Sequence, residues 1–302
     1  MKVLIGPSTF AELDTKPLAH LQAAGCEVIK NPYKRKLTKS ELMNFLKYDV
    51  TGLIAGLEPL DREVLRRSKL RVISRCGAGL SNIDLRAAKE LGIKVRYTPD
   101  GPTTAVAELT LGALLSMLRM IYQMDRDLHN GKWTKKIGLQ LEGKTVAIIG
   151  FGRIGRKVAS LLKAFNIRII AVDPNLHEEI EGMELLPLNK ALGQADIITI
   201  HSSGEQQIIG ENEFKLIKQG TFLLNAARGE LVDEQSLIRA LEEGKIRGAW
   251  LDTFKVEPYR GSLTKYPQVI LTPHIGSYAL ECRRSMEMEA AKNLICAFEE
   301  NK

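Results

Sequence analysis

The stretch from Thr145 to Gly155 constrains the fold more tightly than any other part of the chain. A short apolar run, Thr145-Val146-Ala147-Ile148-Ile149, ends in Gly150-Phe151-Gly152-Arg153-Ile154-Gly155 and leads into a helical pattern, RKVASLLKAF. Gly150 permits a tight turn, Gly152 lets the backbone approach a pyrophosphate, and Gly155 allows a helix to pack closely on a strand. A pyrophosphate placed there meets the unpaired N–H groups at the positive end of the helix, with Arg153 and Ile154 in its first turn. The next apolar run, RIIAVD, ends in Asp173, 18 residues past the last glycine. An acidic side chain at that spacing accepts hydrogen bonds from ribose hydroxyls and repels a 2′-phosphate, which points to NAD rather than NADP. A turn residue ahead of Pro174 is the plainer account of Asp173.

Apolar runs rich in Val and Ile alternate with helical patterns from end to end, the signature of parallel sheets built from βα units. The first third holds KVLI, EVIK, GLIAG, RVISR and KVRY, and a second series holds TVAIIG, RIIAVD, DIITIH, TFLLNAA, GAWLD and VILTP. Six strands in the second series is the number a dinucleotide-binding domain uses. A chain of 302 residues exceeds the usual size of one core. Two domains are expected, one from residues 1–98 plus 280–302 and one from residues 99–279. Two segments break the alternation, a long helical stretch over 103–129 and another over 277–299. The first is apolar around much of its circumference (Val106, Leu109, Leu111, Leu114, Leu115, Met117, Leu118 and Ile121). It is expected to be covered either by an inter-domain core or by a second subunit.

Composition narrows the function classes. No run of 18 or more apolar residues suggests a membrane span, and MKVLIGPSTF reads as a first strand of a cytoplasmic protein rather than a secretory leader. Cys26, Cys76, Cys282 and Cys296 show no CxxC or metal-ligand spacing, so free thiols and no metal are expected. Residues 1–98 carry 18 Lys and Arg against 10 Asp and Glu, within a chain of net charge +7. The basic residues lack interleaved aromatics or a recognition-helix pattern, which argues against nucleic acid and for a solvated surface or the steering of a small anion.

In an open parallel sheet, ligands bind beyond the carboxyl ends of the strands. The residues there in the second series are Gly150, Asp173, His201, Asn225 to Gly229, Asp252 and Pro273-His274. Reducing a 2-keto acid needs a cation to hold the carboxylate and polarise the ketone, and Arg228 supplies a guanidinium fork. It needs a proton donor that titrates near neutrality, for which His274 is suited. A carboxylate beside an imidazole favours its charged form, and Glu257 can take that place. The plainer alternatives are a surface turn for Arg228, a solvated loop carboxylate for Glu257 and a structural imidazole for His274. His201 is the rival histidine, whereas His20, His129 and His177 fall in helical or loop surroundings and read as surface residues.

Over essentially its full length the sequence resembles the D-isomer-specific 2-hydroxyacid dehydrogenases, in particular their phosphoglycerate dehydrogenase branch. The matching stretches are RCGAGLSNIDL (75–85), PTTAVAELTLGALL (102–115), GFGRIGRKVA (150–159), NAARGELVDEQSL (225–237), LDTFKVEP (251–258) and TPHIGS (272–277). The resemblance implies an α/β fold of two doubly wound parallel-sheet domains, a Rossmann NAD-binding domain and a flavodoxin-like substrate domain. It implies that Arg228 anchors the substrate and that Glu257 and His274 form the acid–base pair. Asp252 would hold the nicotinamide amide, while Thr104, His201, Ala226 and Gly276 would also meet NAD. Arg75 and the backbone around Ala78 and Gly79 would meet the substrate from the other domain, and domain closure would exclude water.

One segment departs from the family: HSSGEQQIIG after His201 is about three residues shorter than the usual HLPLTPET-type loop. The basic first domain, with Arg75 and the run Lys34-Arg35-Lys36, suggests a substrate such as D-3-phosphoglycerate, with glyoxylate or hydroxypyruvate as the alternative; a solvated charge run is the plainer account of 34–36. No C-terminal regulatory module is expected, and hence no serine feedback through one. A homodimer through the 103–129 region is expected. The alternative of another class is an NAD(H)-sensing interaction protein like the family's corepressor relatives.

Overall fold

A computed structural model describes residues 1–177 and 180–300, so the last two residues of the expected 280–302 span lie outside the described residues. The chain divides into two compact units, Met1–Pro102 with Ser277–Lys302, and Thr103–Gly276.

The first unit is a five-stranded parallel sheet of β1 (Lys2–Ile5), β2 (Glu27–Lys30), β3 (Gly52–Ala55), β4 (Val72–Arg75) and β5 (Lys94–Tyr97). Their spatial order β2-β1-β3-β4-β5 is that of a flavodoxin-like sheet. Every residue of β3 and β4 is buried; β3 accordingly reads as a continuous apolar run, while β4 buries Ser74 and Arg75 behind Val72 and Ile73. The connecting helices are α1 (Lys16–Ala23), α2 (Lys39–Leu46), α3 (Arg62–Arg66) and α4 (Leu85–Glu90). Polar residues stop the strands and start the helices. Thr38 and Glu41 form a reciprocal capping box on α2, and Asp61 and Asp84 cap α3 and α4. Leu4, Leu42, Leu53, Leu65 and Ile73 belong to the core that results. The C-terminal helix, Leu280–Glu299, covers the other face of this sheet: Ser74 Oγ donates to Ala290 O at 2.8 Å, and the Phe298 ring fills the space that a side chain at Gly52 would need.

The second unit opens with α5 (Thr103–Leu118) and α6 (Ile121–His129). The single helix expected over 103–129 is therefore two, bent by 67°. Nothing in Arg119-Met120-Ile121 announces a break, because its cause is remote. Leu139 N–H takes the Leu118 carbonyl at 2.8 Å, Gly138 lies so close that a Cβ would strike that carbonyl, and Met120 turns left-handed at φ +50°. Val106, Leu114, Met117 and Leu118 are buried, but Ile121 is 53% exposed and α6 buries no residue. No single described helix is long and apolar enough to cross a membrane.

The rest of the unit is β6 (Thr145–Ile149), α7 (Arg153–Leu162), β7 (Arg168–Val172), β8 (Glu184–Leu185), α8 (Leu188–Gln194), β9 (Ile197–Ile200), α9 (Glu211–Leu216), β10 (Thr221–Asn225), α10 (Glu234–Glu242), β11 (Ile246–Leu251) and β12 (Val269–Leu271). With the C-terminal helix as α11, the numbering follows the chain. Among the described residues this sheet has seven parallel strands in the order β12-β11-β10-β9-β6-β7-β8. The six expected strands are all present. The seventh, β8, takes the third position of the dinucleotide-binding order at the sheet edge, pairing Glu184 with Ile170 and Leu185 with Ala171. Two residues carry no periodicity, and an exposed pair between Arg168 and Glu184 reinforces the edge.

Candidate active site

The order of the second sheet reverses between β6 and β9, and the glycine loop stands at that switch point. Gly150 follows β6 with φ +88°, and a Cβ there would strike the backbone of His201 and Ser202 beyond β9. Gly152 caps α7 in an extended conformation, so the first turn of α7, with Arg153, Ile154 and Gly155, brings the positive end of the helix to the glycine loop. Gly155 abuts the carbonyl of Gly150, where a side chain has no room. Asp173, directly after β7, accepts the Phe151 N–H through Oδ2 and the Asn175 N–H through Oδ1, both at 2.9 Å. It is thus more than a turn residue, since its carboxylate fixes the glycine loop.

His201 follows β9 and is half-buried, with Nε2 at 2.8 Å from Thr199 Oγ1. Nδ1 is buried and has no hydrogen-bond partner. Burial pushes the imidazole down to about 3, so the ring is neutral. A neutral ring with an idle buried nitrogen suits a ligand group better than proton transfer near neutrality.

After β10 the chain turns on Asn225, whose side-chain amide donates to Arg228 O at 2.7 Å and whose Oδ1 accepts from Ala227 N–H at 3.0 Å. Ala226 lies inside this turn, and Arg228 is half-buried with Nη1 donating to Ala227 O at 2.7 Å. After β11 comes Asp252, only 1% exposed. Oδ1 accepts from Thr272 Oγ1 at 2.6 Å and Ile275 N–H at 2.8 Å, and Oδ2 accepts from Gly276 N–H at 2.8 Å. Trp250 Nε1 in turn donates to Thr272 at 3.0 Å. Burial raises the Asp252 carboxyl while these three donors oppose the shift. A carboxylate has about four acceptor positions, so one remains for a cofactor amide. Sequence reasoning missed Thr272 as the link between Trp250 and Asp252; its place beside Pro273-His274 was the only signal. Gly276 also packs on Val106, which brings the first turn of α5, with exposed Thr104, to this end of the sheet.

His274 follows β12 with φ +55°, a conformation that costs a side-chain-bearing residue about 1–3 kcal/mol and is stored where a group must be aimed. Nδ1 lies 3.1 and 3.0 Å from the two carboxylate oxygens of Glu257, whose Oε1 also accepts the Phe254 N–H at 3.1 Å. An ionised carboxylate only accepts, so Nδ1 carries the proton and Nε2 is the atom left to gain or lose one. A cavity of about 390 Å³ lies next to this turn, but Glu205, Glu230, Asp233 and Glu234 line it and make it a poor host for an anion.

Arg75, Ala78 and Gly79 lie in the other unit, at and just after the end of β4. Arg75 is 8% exposed, and its guanidinium bonds to Cys76 O and fills the space over Gly77 that a side chain would take. The basic run is partly committed to structure: Arg35 grips Glu41 at 2.6 and 2.8 Å, which holds that carboxyl down at about 2. His20, His129 and His177 are exposed. Among the described residues no cluster of His, Cys, Asp and Glu could hold a metal, and Cys26, Cys76, Cys282 and Cys296 are unpaired.

Residues 111–276 match the model of the D-isomer specific 2-hydroxyacid dehydrogenase family's NAD binding domain. D-3-phosphoglycerate dehydrogenase of Methanocaldococcus jannaschii is 41% identical over 261 residues, 82% of this chain and 50% of that protein. Glyoxylate reductase of Pyrococcus horikoshii is 37% identical over 87% of this chain and 84% of its own length. A crystal structure of a Thermus thermophilus protein superimposes with a TM-score of 0.90 at 32% identity, covering 99% of this chain and 97% of the other. The chain spans about half the length of the curated D-3-phosphoglycerate dehydrogenases from Methanocaldococcus jannaschii and Pan troglodytes.

Proposed function

We infer that this chain, which belongs to the D-isomer specific 2-hydroxyacid dehydrogenase family, interconverts a small D-2-hydroxy acid and its 2-keto acid with NAD as cofactor. The observation that carries the reading is the Glu257–His274 pair, with Nδ1 committed to the carboxylate and Nε2 left to exchange a proton. The residues present fit NAD. The glycine loop offers N–H groups without a Cβ in the way, Asp173 stands beside it, and His201 Nδ1 is an idle buried polar atom. When bound, NAD accepts or supplies the hydride at C2.

The chain's own residues account for the rest of the chemistry. Arg228 holds the substrate carboxylate and polarises the C2 oxygen. In reduction Nε2 of His274 gives that oxygen a proton as the alkoxide forms, and in oxidation it takes the proton back, while Glu257 keeps the ring oriented and stabilises its cationic form. Asp252 holds the loop at Ile275 and Gly276 and offers its remaining lone pair to the cofactor amide. Gly150, Gly152, Arg153, Ile154, Gly155, Thr104, Ala226 and Gly276 complete the cofactor site, and Arg75, Ala78 and Gly79 receive the substrate on the other unit.

D-3-phosphoglycerate is the substrate placed first, supported by the 41% identical relative and the basic 1–98 segment. The glyoxylate reductase relative supports glyoxylate or hydroxypyruvate as the second reading. A homodimer is part of the proposal, supported by an exposed apolar set at 121–137: Ile121, Leu128, Trp133 and Ile137 are 53, 55, 79 and 92% exposed. So is a reducing, cytoplasmic setting, in keeping with the unpaired cysteines.

The test follows NADH oxidation with 3-phosphohydroxypyruvate, hydroxypyruvate, glyoxylate, pyruvate and 2-oxoglutarate, in wild type and His274→Asn. Turnover of one acid that the variant largely loses supports the reading, and the ratio of kcat/KM for the first two acids decides the substrate. No turnover with NADH still bound would favour a nucleotide-sensing protein. A monomer in sedimentation at micromolar concentration would remove the dimer.

A further inference from the structure

A carboxylate lies inside the first unit where the central strands end. Glu58, 1% exposed, follows β3 by three residues. Its carboxylate is seated between two glycines from neighbouring strand ends. A Cβ on Gly6, just after β1, would overlap the carboxylate, and one on Gly56, just after β3, would come within 2.9 Å of Oε2. Oε1 accepts the Gly56 N–H at 2.8 Å, and Asn82 Nδ2 fixes the turn by donating to Glu58 O at 2.7 Å. Oε2 is buried and makes no hydrogen bond.

The neighbour on the other side is Arg75. β3 and β4 pair with Ala55 beside Arg75, and Cys76 N–H donates to Ala55 O at 2.9 Å, so the turn carrying Glu58 and the turn carrying Arg75 leave the sheet side by side. Two cations lower the carboxyl electrostatically, Arg75 from β4 and Lys36 from the segment before α2.

We propose that Glu58 is a positioning residue for Arg75, its carboxylate setting how strongly the guanidinium holds the anionic end of the substrate. This rests on the assignment of Arg75 to substrate binding made above. A buried carboxylate held by backbone N–H groups alone still needs nearby positive charge when ionised, and the part of Arg75's field that Glu58 offsets no longer acts on an incoming anion. A protonated Glu58 releases it. Proton uptake by Glu58 and anion binding at Arg75 therefore favour each other, and the pair sets how much negative charge the substrate domain accepts. Burial pushes the Glu58 carboxyl up from the ordinary carboxylate range, more than the N–H groups of Gly56 and Glu58 and the two cations draw it down. Below that raised value Glu58 carries no charge to offset the pull of Arg75, and above it the carboxylate opposes an incoming anion, so KM for the anion rises with pH.

The test measures KM and kcat from about pH 5 to about pH 9 for the keto acid that turns over best, in wild type, Glu58→Gln and Arg75→Gln. Wild-type KM rises with pH; Glu58→Gln removes the rise and lowers KM at the alkaline end by roughly fivefold, the effect of one unit charge at partly screened range. The effect falls on KM, while the shape of the kcat profile with pH is the same in wild type and Glu58→Gln. A flat wild-type KM, or an unchanged rise in Glu58→Gln, overturns the proposal while Arg75→Gln still raises KM. If Arg75→Gln leaves KM untouched, the substrate assignment of Arg75 itself is wrong and the inference falls with it. Should Glu58→Gln yield no folded protein, Glu58→Asp, which keeps the charge but draws it back by one methylene, must move the pH at which KM rises; an unmoved profile overturns the proposal.

Discussion

Nδ1 of His274 lies within 3.1 Å of both carboxylate oxygens of Glu257, although 17 residues of chain separate the two. The carboxylate can only accept, so it selects the tautomer that leaves Nε2 for the substrate. In Glu257→Gln the amide can turn either its oxygen or its NH₂ towards Nδ1, and the selection is lost along with the charge that stabilises the protonated ring. We expect kcat to fall by roughly 10²- to 10³-fold. NADH affinity, measured by fluorescence titration, stays within a factor of two or so, because the substitution leaves the glycine loop and Asp173 in place. A loss of activity smaller than about threefold would show that Glu257 does not govern the imidazole.

Asp173 holds the glycine loop and is proposed to read the cofactor ribose as well, and the two tasks together predict a compound phenotype. Its Oδ2 already accepts the Phe151 N–H, and its charge is the feature expected to favour NAD over NADP. Asp173→Ala should weaken NADH binding by roughly 10- to 100-fold, through lost ribose hydrogen bonds and a loosened loop. NADPH, which lacks those bonds in the wild type, should change far less, so that discrimination narrows. Equal losses for both cofactors would assign Asp173 to the loop alone.

His201 makes the protein sensitive to acid. Its imidazole is held down at about 3 by burial, against an ordinary value of 6.5 in the unfolded chain. On acidification the unfolded chain takes up the proton first, so this group's contribution to stability is fully present above 6.5 and is lost as the pH falls towards 3. The penalty is of order 2–4 kcal/mol, reduced from the full shift because the side chain is only half-buried. His201→Gln should therefore lose less Tm than wild type between pH 6.5 and about 4. Parallel curves for the two proteins would place the acid sensitivity elsewhere.

Much of the fold was legible because parallel strands buried on both faces write themselves as Val- and Ile-rich runs, and Gly150, Asp173, His201, Asn225, Asp252 and His274, the residues proposed for the ligand side, stand at or just past the ends of the strands of the second series. What escaped depends on contacts between distant segments. The break at Met120 is imposed by Gly138 and Leu139 crossing the end of α5, and β8 is too short to carry a period. Glu58 carried no signal in the sequence, since its cradle is made by Gly6 and Gly56, one of them some fifty residues away along the chain. Pairing of Glu257 with His274 could be guessed from chemistry, but that one nitrogen faces both oxygens could not.

Arg283 and Glu287, one turn apart on α11, form a buried pair at 2.7 Å with side chains 10 and 3% exposed. Glu287 Oε2 also accepts the N–H of Ala11, which sits at φ +59°, and Arg283 reaches Thr9 Oγ1 at 3.2 Å. The pair thus fastens the loop after β1 to the C-terminal helix. Replacing one partner strands the other charge inside the protein, so Glu287→Met or Arg283→Met alone should each cost about 3–5 kcal/mol. Replacing both with methionine removes the stranded charge, and the cost should drop to about 1–2 kcal/mol, the penalty of leaving the Ala11 N–H without its acceptor. The double-mutant cycle then yields a coupling of several kcal/mol. Both tryptophans, Trp133 and Trp250, lie in Thr103–Gly276, so denaturation must be followed by far-ultraviolet circular dichroism rather than tryptophan fluorescence. Costs that simply add would mean that the two side chains act independently, and that the loop is held by the Ala11 N–H and apolar packing instead.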